Sequence, residues 1–76
     1  MEHMEKIEDY KRALRLLCVG EKTMESFLIR HGLNSESIEN LVQKGYLVLV
    51  KAKDPNDFMS DNYYCLTESG RDFAWK

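Results

Sequence analysis

The first apolar pattern in the chain recurs at helical spacing close to the amino terminus. Five apolar residues fall within a sector about 100° wide on a helical projection: Ile7, Tyr10, Leu14, Leu17 and Cys18. This spacing predicts an amphipathic helix over residues 4–19, which Gly20 ends. Acidic and basic residues are interleaved between the apolar positions, a pattern that is typical of a solvated helix face.

A second, shorter helical pattern follows Thr23, whose hydroxyl is suited to cap a first helical turn. Its predicted buried residues are Met24, Phe27 and Leu28. The stretch His31-Gly32-Leu33 then has the form of a Schellman stop, because an apolar residue follows a glycine at the helix end. A short second helix that stops at this stretch is therefore predicted.

A third helix is predicted to start at Asn34 or Ser35, either of which can cap it, and to close at Gly45. Its inward face is expected to consist of Ile38, Leu41 and Val42. The same geometry turns another set of side chains outward: Glu36, Asn40 and Gln43, with Glu39 and Lys44 at the flanks.

The pattern changes to that of a β-hairpin after the third helix. Residues 46–51 are rich in β-branched and aromatic side chains and predict a strand, and residues 63–66 predict the return strand. Between them, Asp54-Pro55-Asn56-Asp57 is typical of a turn. Alternation along the return strand predicts that one of Tyr63 and Tyr64 faces inward and the other outward.

A last helix is predicted after Thr67, which can cap it, and it carries Phe73 and Trp75. The predicted fold class is therefore mainly α with a β-hairpin, that is, α+β. With 43% hydrophobic and 32% charged residues and one proline, the composition favours a single folded domain over residues 1–76.

Several classes of protein are disfavoured by the sequence. No apolar run is long enough for a signal peptide or a membrane span, so a cytoplasmic protein without membrane contact is expected. Cys18 and Cys65 have no metal-ligand spacing and are expected to be buried, reduced core residues.

Three stretches after residue 20 carry a family resemblance: Lys44-Gly45-Tyr46-Leu47, Asp54-Pro55-Asn56-Asp57 and Leu66-Thr67-Glu68-Ser69-Gly70-Arg71. Together they are similar to the winged helix-turn-helix domains of the MarR and PadR families of bacterial transcription regulators. In MarR-type proteins the hairpin, called the wing, commonly reads D-P-x-D followed by arginines, and its exit reads L-T-x-x-G-R. The resemblance covers about residues 20–72 and implies a winged helix in the order helix, helix, helix, strand, wing, strand, helix.

The resemblance implies double-stranded DNA as the partner, with the third helix in the major groove and a wing arginine on the minor groove or the backbone. The chain departs from this pattern because Phe58 and Met59 stand where the arginines are expected. The net charge is −2, and residues 21–45 and 51–62 each carry one more acidic than basic residue. Since phosphate neutralisation supplies much of the affinity for DNA, three aspartates in the wing need an explanation.

The leading functional hypothesis is a small winged-helix, DNA-binding transcription regulator, with a homodimer supplying a second half-site. Asn and Gln side chains can pair with adenine, and lysines can contact phosphates. The candidate DNA-binding residues are Ser35, Ser37, Asn40, Gln43, Lys44, Lys51 and Lys53.

The alternative hypothesis is a winged-helix protein–protein interaction module that has lost DNA binding, such as a small accessory or inhibitor protein of a phage or mobile element. Large apolar residues at a loop tip, here Phe58-Met59, either fold back onto the core or anchor a partner. Folding back is the simpler of these two interpretations. Trp75 has two similar interpretations: it covers Leu16 on the first helix, or it anchors a dimer. The candidate partner or dimer contacts are Leu16, Phe58, Met59 and Trp75.

Catalysis and metal binding are not predicted. The chain has no nucleophile elbow, phosphate-binding glycine loop or metal-ligand spacing, and its two histidines lie far apart. Asp54 and Asp57 are more simply interpreted as turn-forming residues than as a catalytic pair of carboxylates. We therefore expect no enzymatic activity and no cofactor, which leaves duplex DNA, a second copy or another protein as partners.

Overall fold

Four helices and three short strands make up the structure, a computed structural model that describes the backbone of residues 2–76 and the side chains from Ile7 onward. In chain order the elements are α1 (Glu2–Leu14), β1 (Lys22–Met24), α2 (Glu25–Arg30), α3 (Ser35–Gln43), β2 (Leu47–Lys51), β3 (Tyr63–Leu66) and α4 (Glu68–Ala74). The strands form one antiparallel sheet in the order β1-β3-β2. The fold is thus mixed helix and sheet, in agreement with the predicted α+β class.

Strand β1 is not predicted by the sequence, and its presence corrects the expected start of the second helix. Thr23 lies within β1, where it pairs with Tyr64 of β3, and does not cap a helix. Met24 occupies the cap position of α2, offers no side-chain hydrogen bond and is exposed rather than buried. A β-branched threonine suits a strand, and pairing with β3 decides between its two roles.

Helix α1 ends at Leu14, short of the predicted residue 19. The N–H groups of Leu16 and Leu17 bond to carbonyls three residues back, which tightens the final turn before the chain leaves the helix. The chain then runs beside β3, where Val19 forms a bridge with Leu66. Cys18 is consequently exposed, so the prediction that it is a core residue is wrong, whereas Cys65 is buried.

Helices α2 and α3 both end in a Schellman motif, and the motif predicted at His31-Gly32-Leu33 is confirmed. Gly32 and Gly45 adopt the left-handed conformation, with φ of 104° and 83°. At the end of α3 the N–H of Tyr46 bonds to the carbonyl of Leu41 at 2.9 Å, and the equivalent bond after α2 is 3.1 Å long. These two stops set the directions in which the chain enters and leaves α3.

The hydrophobic core draws on every helix and on strands β2 and β3. Its innermost side chains are Leu14, Leu28, Ile38, Leu41, Leu47 and Leu66. Ala74 of α4 is also fully buried, which brings the last helix against α1. The core therefore holds α3 with its apolar side against the sheet and its polar side outward.

Thr67 joins three elements at one point. Its hydroxyl oxygen accepts the N–H of Gly70 at 3.0 Å and so caps α4, as predicted, and the same hydroxyl donates to the carbonyl of Gly45 at 2.6 Å. The backbone N–H of Thr67 bonds to the carbonyl of Tyr46 at 3.1 Å. The connection between α3 and β2 is thereby held against the start of α4.

Gly70 lies at the closest approach in this junction. A Cβ atom at this position would clash with the carbonyl oxygen of Tyr46 and would lie 2.7 Å from a methyl carbon of Leu66. The ring of Tyr46 also stacks on Phe73 of α4, with ring centroids 4.4 Å apart. Two of the three stretches that carry the family resemblance therefore meet in space and serve the packing of α4.

We expect Gly70→Ala to lower the free energy of unfolding by about 1–3 kcal/mol, because the added methyl group overpacks the junction. Elsewhere in a helix the same substitution usually stabilises by up to about 1 kcal/mol. Urea unfolding of the variant beside Ser69→Ala, an exposed neighbour in the same helical turn, measures the difference. A Gly70→Ala protein as stable as the wild type would contradict the close approach.

Candidate functional site

The outward face of α3 carries the polar side chains that the sequence assigns to base contact. Ser35, Asn40 and Gln43 are exposed, while the apolar side of the helix is buried. Lys44 is exposed at the C-terminal cap. The predicted orientation of this face is confirmed, and its contact with DNA stays a prediction.

The electrostatics of this face are mixed. Glu36 and Glu39 are exposed on α3, and Lys44 adds one positive charge at its end. Negative side chains weaken attraction to phosphates but accept hydrogen bonds from the amino group of cytosine. The face therefore offers hydrogen-bonding side chains but no net positive charge.

Ser37 is the exception among the candidates on α3, because only 4% of its surface is exposed. Its N–H donates to Oδ1 of Asn34 at 2.8 Å, and its hydroxyl donates to the same oxygen at 2.9 Å. Its hydroxyl also lies 3.1 Å from that of Tyr10 on α1. The assignment of Ser37 to DNA contact is therefore corrected: it completes the Asn34 cap of α3 and links α3 to α1.

Lys51 and Lys53 lie exposed where β2 runs out of the sheet into the loop of residues 52–62. The ammonium of Lys51 lies 5.8 Å from the ring centroid of Tyr63, a distance typical of a cation–π contact. Tyr63 is half-buried and Tyr64 is buried, and the next two residues of β3 are buried as well, so burial does not alternate along this central strand as predicted. Burial, together with the nearby carboxylate of Glu25, raises the pKa of Tyr64 above its ordinary value.

The loop of residues 52–62 is closed by its own side chains. Oδ1 of Asp54 accepts the N–H of Asn56 at 2.9 Å, and Oδ1 of Asp57 accepts the N–H of Met59 at 3.0 Å. The hydroxyl of Ser60 accepts the N–H of Asp54 at 2.7 Å. The predicted turn is confirmed by the bond from the N–H of Asp57 to the carbonyl of Asp54. Two of the three aspartates therefore fold the loop.

The third aspartate of the loop, Asp61, caps α2, whose own N-cap residue Met24 makes no side-chain hydrogen bond. Its Oδ2 accepts the N–H of Ser26 at 3.0 Å, and its Oδ1 accepts the N–H of Asn62 at 2.8 Å. The side-chain amide of Asn62 donates to Oε1 of Glu25 at 2.9 Å, which strengthens the same joint. Burial alone raises the pKa of Asp61, but the hydrogen bonds and the charge of Lys53 outweigh it and hold that pKa below its ordinary value.

The tip of the loop presents two large apolar side chains to solvent. Phe58 is 88% exposed and Met59 is 76% exposed. The interpretation that they fold back onto the core is therefore wrong, because the hydrogen bonds of Asp54, Asp57 and Ser60 fix the loop with its tip outward. Large apolar side chains held in water at a loop tip are typical of a contact surface.

Trp75 contacts Arg15, the residue that directly follows α1. The guanidinium of Arg15 lies 5.5 Å from the Trp75 ring centroid, and its Nε donates to the carbonyl of Ala74 at 2.6 Å. Trp75 remains 64% exposed and Leu16 53% exposed, so any cover of Leu16 by Trp75 within one chain is partial. Both remain candidate contacts between chains.

The described residues contain no cluster of three or more His, Cys, Asp or Glu side chains that could hold a metal ion. Within the same part of the chain, no helix is long and apolar enough to cross a membrane. The chain matches no protein-family model, and no curated protein or solved structure is significantly similar to it. Function must therefore be argued from the exposed surfaces alone.

We expect Asp61→Ala to lower the free energy of unfolding by about 1 kcal/mol, the usual cost of losing a helix cap. Because the folded-state pKa of Asp61 is depressed, its contribution is complete above the unfolded-state value near 4 and disappears as pH falls through the folded-state pKa. As the pH falls below about 4, the Asp61→Asn variant should therefore lose less of its free energy of unfolding than the wild type does. Urea unfolding at several pH values tests this.

The matched control is Asp72→Asn, which changes an exposed carboxylate on α4 that lies 4.0 Å from Arg71. Exposed ion pairs of this kind contribute little to stability, so this variant should follow the acid profile of the wild type. An Asp61→Asn profile that also matches the wild type would show that the carboxylate charge of Asp61 is not stabilised in the folded protein.

Proposed function

We propose that the chain is a winged-helix domain that binds duplex DNA as a small transcription regulator. The order α1-β1-α2-α3-β2-β3-α4, with a hairpin directly after α3, supports the winged-helix assignment. The observation that carries the DNA assignment is the outward face of α3, on which Asn40 and Gln43 are exposed together. Both side chains can pair bidentately with adenine in the major groove.

The positions of the lysines support the same proposal. Lys44 lies at the end of α3, and Lys51 and Lys53 lie at the exit of β2, so cations flank the base-reading face along the chain. The connection between α3 and β2 is held by Thr67, which fixes the hairpin relative to the helix. A fixed arrangement of this kind lowers the entropic cost of binding a rigid duplex.

The acidic side chains of the loop do not argue against this proposal as strongly as their number suggests. Asp54, Asp57 and Asp61 each accept backbone N–H groups within the protein, so structural needs account for their presence. We expect the affinity for DNA to be modest and a large part of the specificity to come from base contacts.

A second candidate function is that of a protein-interaction module, and the exposure of Phe58 and Met59 favours it. Buried aromatic anchors carry much of the energy of protein interfaces, and this pair lies on a loop whose conformation is fixed by hydrogen bonds. In this alternative the α3 face is an ordinary solvated helix surface.

The first test is selection of bound duplexes from a random DNA pool, followed by repetition with Asn40→Ala/Gln43→Ala. We expect the wild type to enrich a motif and the double variant to lose the preference, since each bidentate pair discriminates by about 1–3 kcal/mol. Ser69→Ala is the control and should enrich the motif of the wild type. A folded wild-type protein that enriches no motif at low salt would favour the protein-interaction alternative.

The phosphate contacts have a different signature. We expect Lys51→Ala and Lys53→Ala each to weaken binding to all duplexes alike and to reduce the slope of log K against log salt by about 0.9. Titration at several salt concentrations measures the slope. A slope unchanged in both variants would remove the hairpin lysines from the interface and leave Lys44 as the remaining cation among the candidates.

A further inference from the structure

A second surface of the molecule complements the loop tip of Phe58 and Met59. A pocket of about 260 Å³ opens between the end of α1, strand β1 and helix α2. Its lining is mostly apolar, from Leu16, Leu17, Met24 and Phe27, with Cys18 among the remaining lining residues. Leu16, Met24 and Cys18 are exposed, so the pocket is accessible to another molecule.

The tip and the pocket match in size and in chemistry. A closed apolar cavity of about 150 Å³ holds a benzene molecule, so this open pocket of about 260 Å³ has room for the ring of Phe58. Glu21 and Lys22 also line the pocket, and Asp57 directly precedes Phe58 at the tip. Lys22 of the pocket therefore offers the tip a charge opposite to that of Asp57.

We propose that this protein self-associates by seating the Phe58-Met59 tip of one copy in the Leu16-Met24 pocket of a second copy. Because the loop is hydrogen-bonded through Asp54, Asp57 and Ser60, the tip docks with little loss of conformational entropy. Burying Phe58, Met59, Leu16 and Met24 together removes apolar surface from water that the single chain leaves exposed.

Self-association of this kind suits a chain of this size. A domain of 76 residues buries a modest fraction of its surface, and association adds apolar burial that the single core cannot supply. Reciprocal docking closes a twofold dimer, whereas one-way docking builds a chain of copies. The outward face of α3 contributes no residue to the tip or to the pocket.

The decisive experiment is a site-directed disulfide in the absence of DNA, which makes its result independent of the proposed DNA binding. In Met59→Cys the new thiol of one copy should reach the native Cys18 in the pocket of the next, and the oxidant diamide should yield a covalent dimer on a non-reducing gel. The matched control is Met59→Cys with Cys18→Ser. A dimer band of equal strength in that control would overturn the proposal.

Sedimentation equilibrium from micromolar to millimolar concentration then measures the association without a covalent bond. We expect Phe58→Ala and Leu16→Glu each to weaken it at least about tenfold, and an equimolar mixture of the two to regain a one-to-one complex through its one intact joint. Ile29→Glu, which changes an exposed apolar residue of α2 outside the pocket, should associate like the wild type. A wild-type protein that is monomeric throughout this range overturns the proposal and leaves the tip to a different partner.

Discussion

The hydrogen bonds of Thr67 are the constraint on which the arrangement of the molecule depends. One hydroxyl caps α4 and holds the Gly45 carbonyl, and the adjacent N–H holds the carbonyl of Tyr46. This junction places the hairpin relative to α3 and brings Phe73 against Tyr46. The close approach leaves no room for a side chain at position 70, so one glycine and one threonine determine how helix, hairpin and last helix meet.

The same junction clarifies what the family resemblance means. Lys44-Gly45-Tyr46-Leu47 and the stretch from Leu66 to Arg71 form the joint, and Asp54-Pro55-Asn56-Asp57 forms the turn. All three stretches therefore serve the fold, and Lys44 is the one candidate DNA-contact residue among them. The DNA proposal depends mainly on Asn40 and Gln43, which lie on the exposed face of α3 and take no part in the hydrophobic core. The proposed winged-helix fold and the proposed DNA binding therefore rest on different residues and need separate tests.

The aspartates of the loop accept hydrogen bonds within the protein, and this structural role explains an acidity that could be mistaken for a sign of function. Asp61 lies far from α2 in sequence yet caps it, because Met24 at the cap position offers no side-chain acceptor. The strand that carries Met24 pairs with β3, and this pairing brings the end of the loop to the start of the helix. The acidity of the loop is thus linked to strand β1, which the local pattern does not predict.

The sequence by itself determined the elements whose signals are local: the Schellman stop at Gly32, a cap of α3 at Asn34 or Ser35, the Thr67 cap, the turn at Asp54 and the outward face of α3. Short-range hydrogen bonding and helical periodicity suffice to specify these features. Tertiary structure alone decided the early end of α1, the strand role of Thr23, the burial of Ser37 and the exposure of Phe58 and Met59. Each of these depends on a partner distant in sequence or on how the folded loop is held, and local periodicity carries no information about either.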